Sequence, residues 1–272
     1  MNTLWLVNGQ ATGLDPADRG LAYGDGLFET MAARDGRIRW LGLHLDRLEE
    51  GCRRLEIPAP PRALLTEEIE AHCPREGRAV IKLIVTRGSG ARGYPPPEVA
   101  SPTRVLAILP WPEYPDSHYR DGIRMRTCRL RLCENPALAG IKHLCRLEQV
   151  LLALELCGDA VQQGLVLDAA GHVAGGTAGN VFVVAHGELG TPSLARCGIK
   201  GVMRRAVLEA SRTLGIRAEE RDVTVDELQN ADEVFVTNSL FGIWPVTSLD
   251  GRTYSVGPIT ELLMTHFGYG HA

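Results

Sequence analysis

Pro110-Trp111-Pro112-Glu113-Tyr114-Pro115-Asp116 constrains the fold of this chain more than any other stretch. Proline fixes φ and lacks an amide hydrogen, so three of them this close forbid regular helix or a central strand. The chain is expected to divide here into a smaller N-terminal domain over 1–110, a linker over 111–118 and a larger C-terminal domain over 119–272. A length of 272 residues is enough for two modest cores.

Both sides of the linker mix helix and strand signals. Leu4 to Asn8 reads as a short strand, and Met31 to Trp40 carries Arg34-Asp35-Gly36-Arg37 between apolar flanks, a tight-hairpin signal. Leu45, Leu48, Cys52 and Leu55 recur at helical spacing over Leu41 to Ile57, and a second helix spans Arg62 to Cys73. Ala79 to Thr86, Arg104 to Leu109 and Ile123 to Cys128 read as strands, and a helix runs to about Cys157. Gly164 to Asp168 and Val173 to Ala174 flank a second hairpin. Strands over Val181 to Ala185 and Glu233 to Thr237 and helices over Val202 to Leu214 and Ile259 to Phe267 complete the pattern. The fold class is α/β in the mixed α+β sense. Strands and helices do not alternate regularly, which argues against a doubly wound parallel sheet.

Composition excludes several functions. A net charge of −4 with dispersed arginines gives no reason to expect nucleic acid. No apolar run reaches the roughly 20 residues of a membrane helix, and the N-terminus lacks a basic stretch and apolar signal core. Seven scattered cysteines without a Cys-x-x-Cys pair fit neither a disulfide framework nor a zinc site, and the histidines lack metal-ligand spacing. A cytoplasmic protein with no metal and no membrane partner is the expectation.

Gly140-Ile141-Lys142-His143-Leu144 is the first candidate for chemistry. Here a lysine stands just before an amphipathic helix, where an amine can project into a cleft while rigid structure holds its stem. Gly88-Ser89-Gly90-Ala91-Arg92-Gly93 matches the spacing of a dinucleotide loop, but Tyr94-Pro95-Pro96-Pro97 follows where a helix should open. It reads instead as a flexible loop presenting Arg87, Arg92 and Tyr94 to an anion. Arg196 to Arg204 is a glycine-bearing loop running straight into a helix, and free amides at such a helix start suit a phosphate. Thr237-Asn238-Ser239 ends a buried strand and can add donors, and Arg47 lies beside an apolar helix stripe. Asp18 to Thr30 is glycine-rich, aromatic and acidic, as a cleft lining can be.

Taken in order, these segments resemble the fold-type IV pyridoxal-phosphate enzymes, and within them the aminodeoxychorismate lyases. The carrying motifs are Asp18-Arg19-Gly20 with Tyr23-Gly24-Asp25-Gly26-Leu27-Phe28, His44-Leu45-Asp46-Arg47-Leu48, and Thr86 to Tyr94. Gly140 to Leu151 and Ala231-Asp232-Glu233-Val234-Phe235 complete the set, which spans nearly the whole chain. The resemblance implies a two-domain architecture like that of D-amino acid and branched-chain aminotransferases, with pyridoxal 5'-phosphate at the domain interface. It also implies a homodimer whose site borrows partner residues. By the same resemblance Lys142 forms the Schiff base, and Arg47, Gly201, Val202, Met203, Asn238 and Ser239 hold the phosphate. Arg92, Tyr94 and Phe28 would meet the substrate, and Thr30 would help shuttle protons. The implied reaction converts 4-amino-4-deoxychorismate to p-aminobenzoate and pyruvate.

The sequence departs from this pattern in two places. Relatives carry a glutamate, paired with the pyridine nitrogen, at the position aligned with Gly175, and lyase relatives tend to carry asparagine where Cys145 stands. A lyase driven by aromatisation demands less of the electron sink than amino transfer does. The alternatives are an amino acid aminotransferase of the same fold type and a diverged, non-catalytic homologue.

Overall fold

The computed structural model describes residues 3–269, and its elements fall in two units. The first comprises Met1–Pro112 and, from farther along the chain, Ile141–Arg146. In chain order it holds β1 (Leu4–Val7), α1 (Arg19–Tyr23), β2 (Gly26–Arg34), β3 (Arg37–Ile38), α2 (Leu41–Arg54), α3 (Arg62–Ala71), β4 (Arg78–Thr86) and β5 (Thr103–Pro110). The strands form one antiparallel sheet in the order β1-β5-β4-β2-β3.

Local chemistry explains these elements. Asp35 and Gly36 turn β2 into β3 with φ of 49° and 77°, the left-handed pair that a two-residue hairpin needs to match strand twist. Along β2, Leu27, Glu29, Met31 and Ala33 are buried on one face, and α2 covers β2 with Leu45, Leu48 and Cys52. Gly51 allows the close approach, since a Cβ there would lie 2.8 Å from the Leu27 methyls. Phe28 and Thr30 point to the opposite face and stay half-buried.

The second unit comprises Glu113–Gly140 and Leu147–Ala272. It holds α4 (Ser117–Arg120), β6 (Ile123–Leu132), α5 (Leu147–Glu155), β7 (Gln163–Asp168), β8 (Val173–Gly176), β9 (Asn180–Ala185), β10 (Glu188–Pro192) and α6 (Val202–Thr213). Then come β11 (Ala218–Arg221), α7 (Val225–Asn230), β12 (Glu233–Asn238), β13 (Gly242–Leu249), β14 (Arg252–Thr253) and α8 (Pro258–His266). Its mixed sheet runs β11-β10-β9-β12-β13-β6-β7-β8, with β14 paired to β13. Val173 N, on β8, donates to Val223 O just beyond β11 at 2.8 Å, so the sheet is curled and its two ends meet. One face buries Ile123, Leu165, Val181, Val183, Val234, Val236 and Trp244. On the other, Phe182 and Phe235 stand opposite in register and stack at 4.9 Å, and α6 and α8 lie against β12.

Two expectations about organisation change. The lysine segment was assigned to the C-terminal domain by chain order, yet Ile141–Arg146 belongs to the first unit. The cause is backbone pairing with β2: Phe28 N donates to Lys142 O and Leu144 N to Gly26 O, both at 2.9 Å. Strand β13, which carries Pro245, was not among the expected strands. The proline is tolerated there because the pairing of β13 with β6 begins only at Val246, opposite Ile123. No helix among the described residues is long and apolar enough to cross a membrane.

Candidate active site

Lys142 sits in a short extended segment pinned to β2, not on a helix; α5 begins only at Leu147. The neighbouring bridge between Leu27 and His143 fixes the segment's register. The Lys142 Nζ lies 4.2 Å from the centroid of the Phe28 ring. Burial pulls this amine down to about 7, helped by the charges of Arg47, Arg146 and Lys82 and opposed by Glu29. A lysine in that state carries a substantial neutral, nucleophilic fraction near pH 7.

The charges around it are ordered by a buried cluster. Glu29, on the covered face of β2, accepts from Arg47 Nε at 2.8 Å and Arg47 Nη2 at 2.5 Å. It also bonds His44 Nδ1 at 2.6 Å. Burial opposes ionisation of Glu29, but the Arg47 charge and the His44 and Arg47 hydrogen bonds outweigh it and hold the carboxyl well below its usual range. Burial lowers His44, so its ring is neutral and Nδ1–H is the donor. His143 is likewise lowered, to about 4, by burial and by Arg146 beside it. Lys82, opposite Thr30 in the β2–β4 register, places a second ammonium 5.4 Å from the Phe28 centroid.

Other predicted residues of this unit are placed differently. Arg87 is not presented to an external anion: its guanidinium binds both Asp25 oxygens and the carbonyls of Leu55 and Glu56. Arg92 and Tyr94 do stand exposed on the loop after β4. Cys145, where asparagine was expected, packs its Sγ 3.6 and 3.7 Å from the carbonyls of Tyr23 and Gly24.

The second unit supplies a candidate anion cradle at the start of α6. Gly201 precedes the helix and no side chain caps it, leaving first-turn amides such as those of Val202 and Met203 without an intrahelical partner. The side chains of Val202 and Met203 are buried, so only their backbone can serve a ligand. Asn180 braces the turn, accepting from Gly201 N at 3.1 Å and donating to Ile199 O at 2.8 Å. A Cβ on Gly201 would lie 2.1 Å from Asn180 Oδ1, so any larger residue there displaces the carboxamide that braces the turn. Thr237 pairs in register with Asn180, and its buried hydroxyl has no hydrogen-bond partner among the described residues. Ser239 follows it, half-buried, in the loop after β12. Asn238 differs from expectation, because its carboxamide already bonds Ala178 O and Leu240 N at 2.7 Å each.

Gly175 lies in β8 with φ of 149°, and a Cβ there would meet Gly179 O at 3.1 Å. The following turn is held by Gln163, whose Oε1 accepts from Thr177 Oγ1 and Ala178 N at 3.0 Å each. The backbone at the position of the missing glutamate is therefore one that suits glycine.

A family model described as class IV amino-transferase matches residues 26–249. The chain belongs to that family, the fold-type IV pyridoxal-phosphate enzymes. It is 32% identical over 265 residues to an aminodeoxychorismate lyase of Vibrio harveyi, covering 96% of this chain and 98% of the relative. A D-alanine aminotransferase of Bacillus licheniformis is 28% identical over 271 residues, covering 96% and 92%. Among solved structures, 4-amino-4-deoxychorismate lyase from Pseudomonas aeruginosa superimposes with a TM-score of 0.94 at 50% identity, covering 97% of this chain and 98% of that one.

Members of this family use pyridoxal 5'-phosphate. The residues present fit it: an uncapped helix start with a glycine that a Cβ would block, an orphaned threonine hydroxyl, and a desolvated lysine amine. Lys82, Asn180 and the Glu29–His44 pair were missed by sequence reasoning. Strand alternation places Lys82 on the face of Ile84, opposite Phe28 and Thr30, and would have found it. His44 was named only as the first residue of its motif, with no role, and nothing local distinguishes Asn180.

Proposed function

We propose that this enzyme converts 4-amino-4-deoxychorismate to p-aminobenzoate and pyruvate, a step of folate biosynthesis. One observation carries the reading. The neutral-leaning Lys142 amine shares the Phe28 ring with a second cation, Lys82, in the unit that also bears Arg92. An anion-rich substrate suits such cationic surroundings. The 50% identity to a lyase of known structure, and a glycine where amino transfer relies on a carboxylate, support the same choice.

When bound, pyridoxal 5'-phosphate supplies an aldehyde for amines and a ring that withdraws electrons from the carbon next to the captured nitrogen. The amides of Val202 and Met203, with Ser239, would hold its phosphate; in the first unit Glu29 fixes the plane of the Arg47 guanidinium. Lys142 would take the proton from the ring carbon that bears the substrate's amine. The C–O bond to the enolpyruvyl group on the neighbouring carbon then breaks and the ring becomes aromatic. Thr30, on the same face of β2 as Phe28, relays a proton to the departing enolpyruvate, which becomes pyruvate. Lys82 and Arg92 hold the substrate carboxylates, and Tyr94 stands beside Arg92.

The test is incubation of purified protein with aminodeoxychorismate while p-aminobenzoate is followed by fluorescence. Product should form, and Lys142→Ala should abolish it. Amino transfer to pyruvate or 2-oxoglutarate without p-aminobenzoate would replace this reading by an aminotransferase.

We also propose that the protein is a homodimer. Leu147, Val150, Leu151 and Leu154 form an exposed apolar stripe on α5, which only a further surface would cover.

A further inference from the structure

The loop that carries Arg92 and Tyr94 is wrapped around one buried side chain. Arg19, at the start of α1, is 5% exposed. Its Nη1 donates to Gly93 O at 3.1 Å and Pro95 O at 3.2 Å, and Nη2 donates to Tyr94 O at 2.7 Å. Nε donates to Asp25 Oδ2 at 2.8 Å, the same oxygen that Arg87 Nε binds. Asp25 therefore ties Arg19 to the root of the loop, where Arg87 follows β4.

The surroundings leave Arg19 little freedom. Its guanidinium carbon lies 5.0 Å from the Tyr23 ring centroid, and the Tyr23 ring stands 5.5 Å from that of Tyr94. Gly93 N donates to the Tyr23 hydroxyl at 3.2 Å. Gly90 is glycine for a local reason, since a Cβ there would come within 3.0 Å of Arg19 Cδ. Backbone bonds from Arg19 N to Gly88 O at 3.0 Å and Gly90 N to Ala17 O at 3.3 Å close the near side. With its carbonyls turned inward onto a guanidinium, the segment sends the Arg92 and Tyr94 side chains outward, where both are exposed.

We propose that Arg19 is a positioning residue for substrate recognition, setting the shape of the Arg92–Tyr94 loop and thereby affinity for the substrate's carboxylates. This rests on the reading of Arg92 as a carboxylate reader. A planar fork with donors on three nitrogens can bind three carbonyls and a carboxylate at once; a lysine ammonium has three donors at a single point and cannot span them. Arg19 touches no reacting atom in this scheme, so its loss acts on binding and leaves proton transfer by Lys142 in place.

The experiment compares wild type, Arg19→Lys and the milder Tyr23→Phe, each loaded with pyridoxal 5'-phosphate. Native trypsin cleavage at Arg92–Gly93 is read by mass spectrometry, alongside KM and kcat for aminodeoxychorismate and the dissociation constant of the cofactor. Arg19→Lys should accelerate that cleavage and raise KM about ten-fold, with kcat within about two-fold and cofactor affinity unchanged. Tyr23→Phe, expected to fold even if Arg19→Lys does not, should shift cleavage and KM the same way by about three-fold. Faster cleavage without a change in KM would make Arg19 a structural residue only, and unchanged cleavage would show that it does not order the loop. Either result overturns the proposal. Wild-type protein that makes no p-aminobenzoate would sink the functional reading by itself. Binding of chorismate, a dicarboxylate analogue, measured by calorimetry then replaces KM, and equal affinity of wild type and Arg19→Lys overturns the positioning role.

Discussion

In the proposed reaction Lys142 is the residue on which the chemistry turns, and its environment makes its behaviour measurable. Burial and three nearby cations lower its proton affinity, so the neutral form is lost as pH falls through about 7. Capture of an aldehyde needs the neutral amine. The rate at which cofactor-free protein takes up pyridoxal 5'-phosphate, followed by absorbance, should therefore rise about ten-fold between pH 6 and pH 8. A flat profile would mean that the amine is not held in this state. Glu29 opposes the shift, so Glu29→Gln should move the midpoint of the same curve to lower pH. Gly175 gives the opposite lesson about restoring a missing group. With φ of 149° and a Cβ position 3.1 Å from Gly179 O, Gly175→Glu should lower the melting temperature and bring no gain in rate. A faster, equally stable variant would show that the backbone there accepts a side chain. At this scale Lys142 and Arg47 were legible as motif residues, but their setting was not. The buried Glu29–His44 pair is assembled across β2 and α2, and the engagement of Arg87 by Asp25 depends on a turn that local sequence does not encode.

Elements were more legible where one local rule sufficed. The Asp35-Gly36 hairpin needed only left-handed residues, and α6 announced itself by a glycine loop followed by an apolar face. The cradle at its start needs one more contact, from Asn180 on β9, which becomes visible only when β9 lies beside β12 and the loop before α6 folds onto it. That contact yields a sharp expectation. Gly201→Ala would drive a methyl into Asn180 Oδ1, now 2.1 Å from its position, and must displace the carboxamide that braces the turn presenting the amides. Overpacking of this kind costs roughly 1–3 kcal/mol, so affinity for pyridoxal 5'-phosphate should fall about ten-fold or more. Equilibrium dialysis reads it, and an unchanged dissociation constant would remove the cradle from the site. Strand β13 was hidden for the converse reason. A proline in a central strand violates a local rule, and only the late start of the β6 pairing makes it permissible.

At the scale of the whole molecule, the proline-rich stretch marks the first passage between units, at Pro112–Glu113, but chain order misplaces the lysine because the chain returns for Ile141–Arg146 before leaving again at Leu147. Strand pairing with β2 decides that return, and pairing partners far apart in sequence are what a linear reading lacks. The helix entered on leaving carries the last unexplained feature. Along α5, Leu147 is 71% exposed, Val150 52%, Leu151 45% and Leu154 64%, while Leu152 is buried on the inner side. The four exposed positions fall at helical spacing on one stripe, and covering such side chains contributes roughly 25 cal/mol for each Å² of apolar surface removed from water. Two copies meeting through this stripe would bury it on both at once, since a two-fold interface uses the same patch twice. Light scattering should then give twice the 29.6 kDa protomer mass for the wild type. Leu151→Glu combined with Leu154→Glu should give the protomer mass with an unchanged circular dichroism spectrum, because neither side chain contributes to the core on its own helix. If the double variant keeps the wild-type dimer mass, the stripe lies outside the dimer interface; a monomeric wild type would remove the dimer itself.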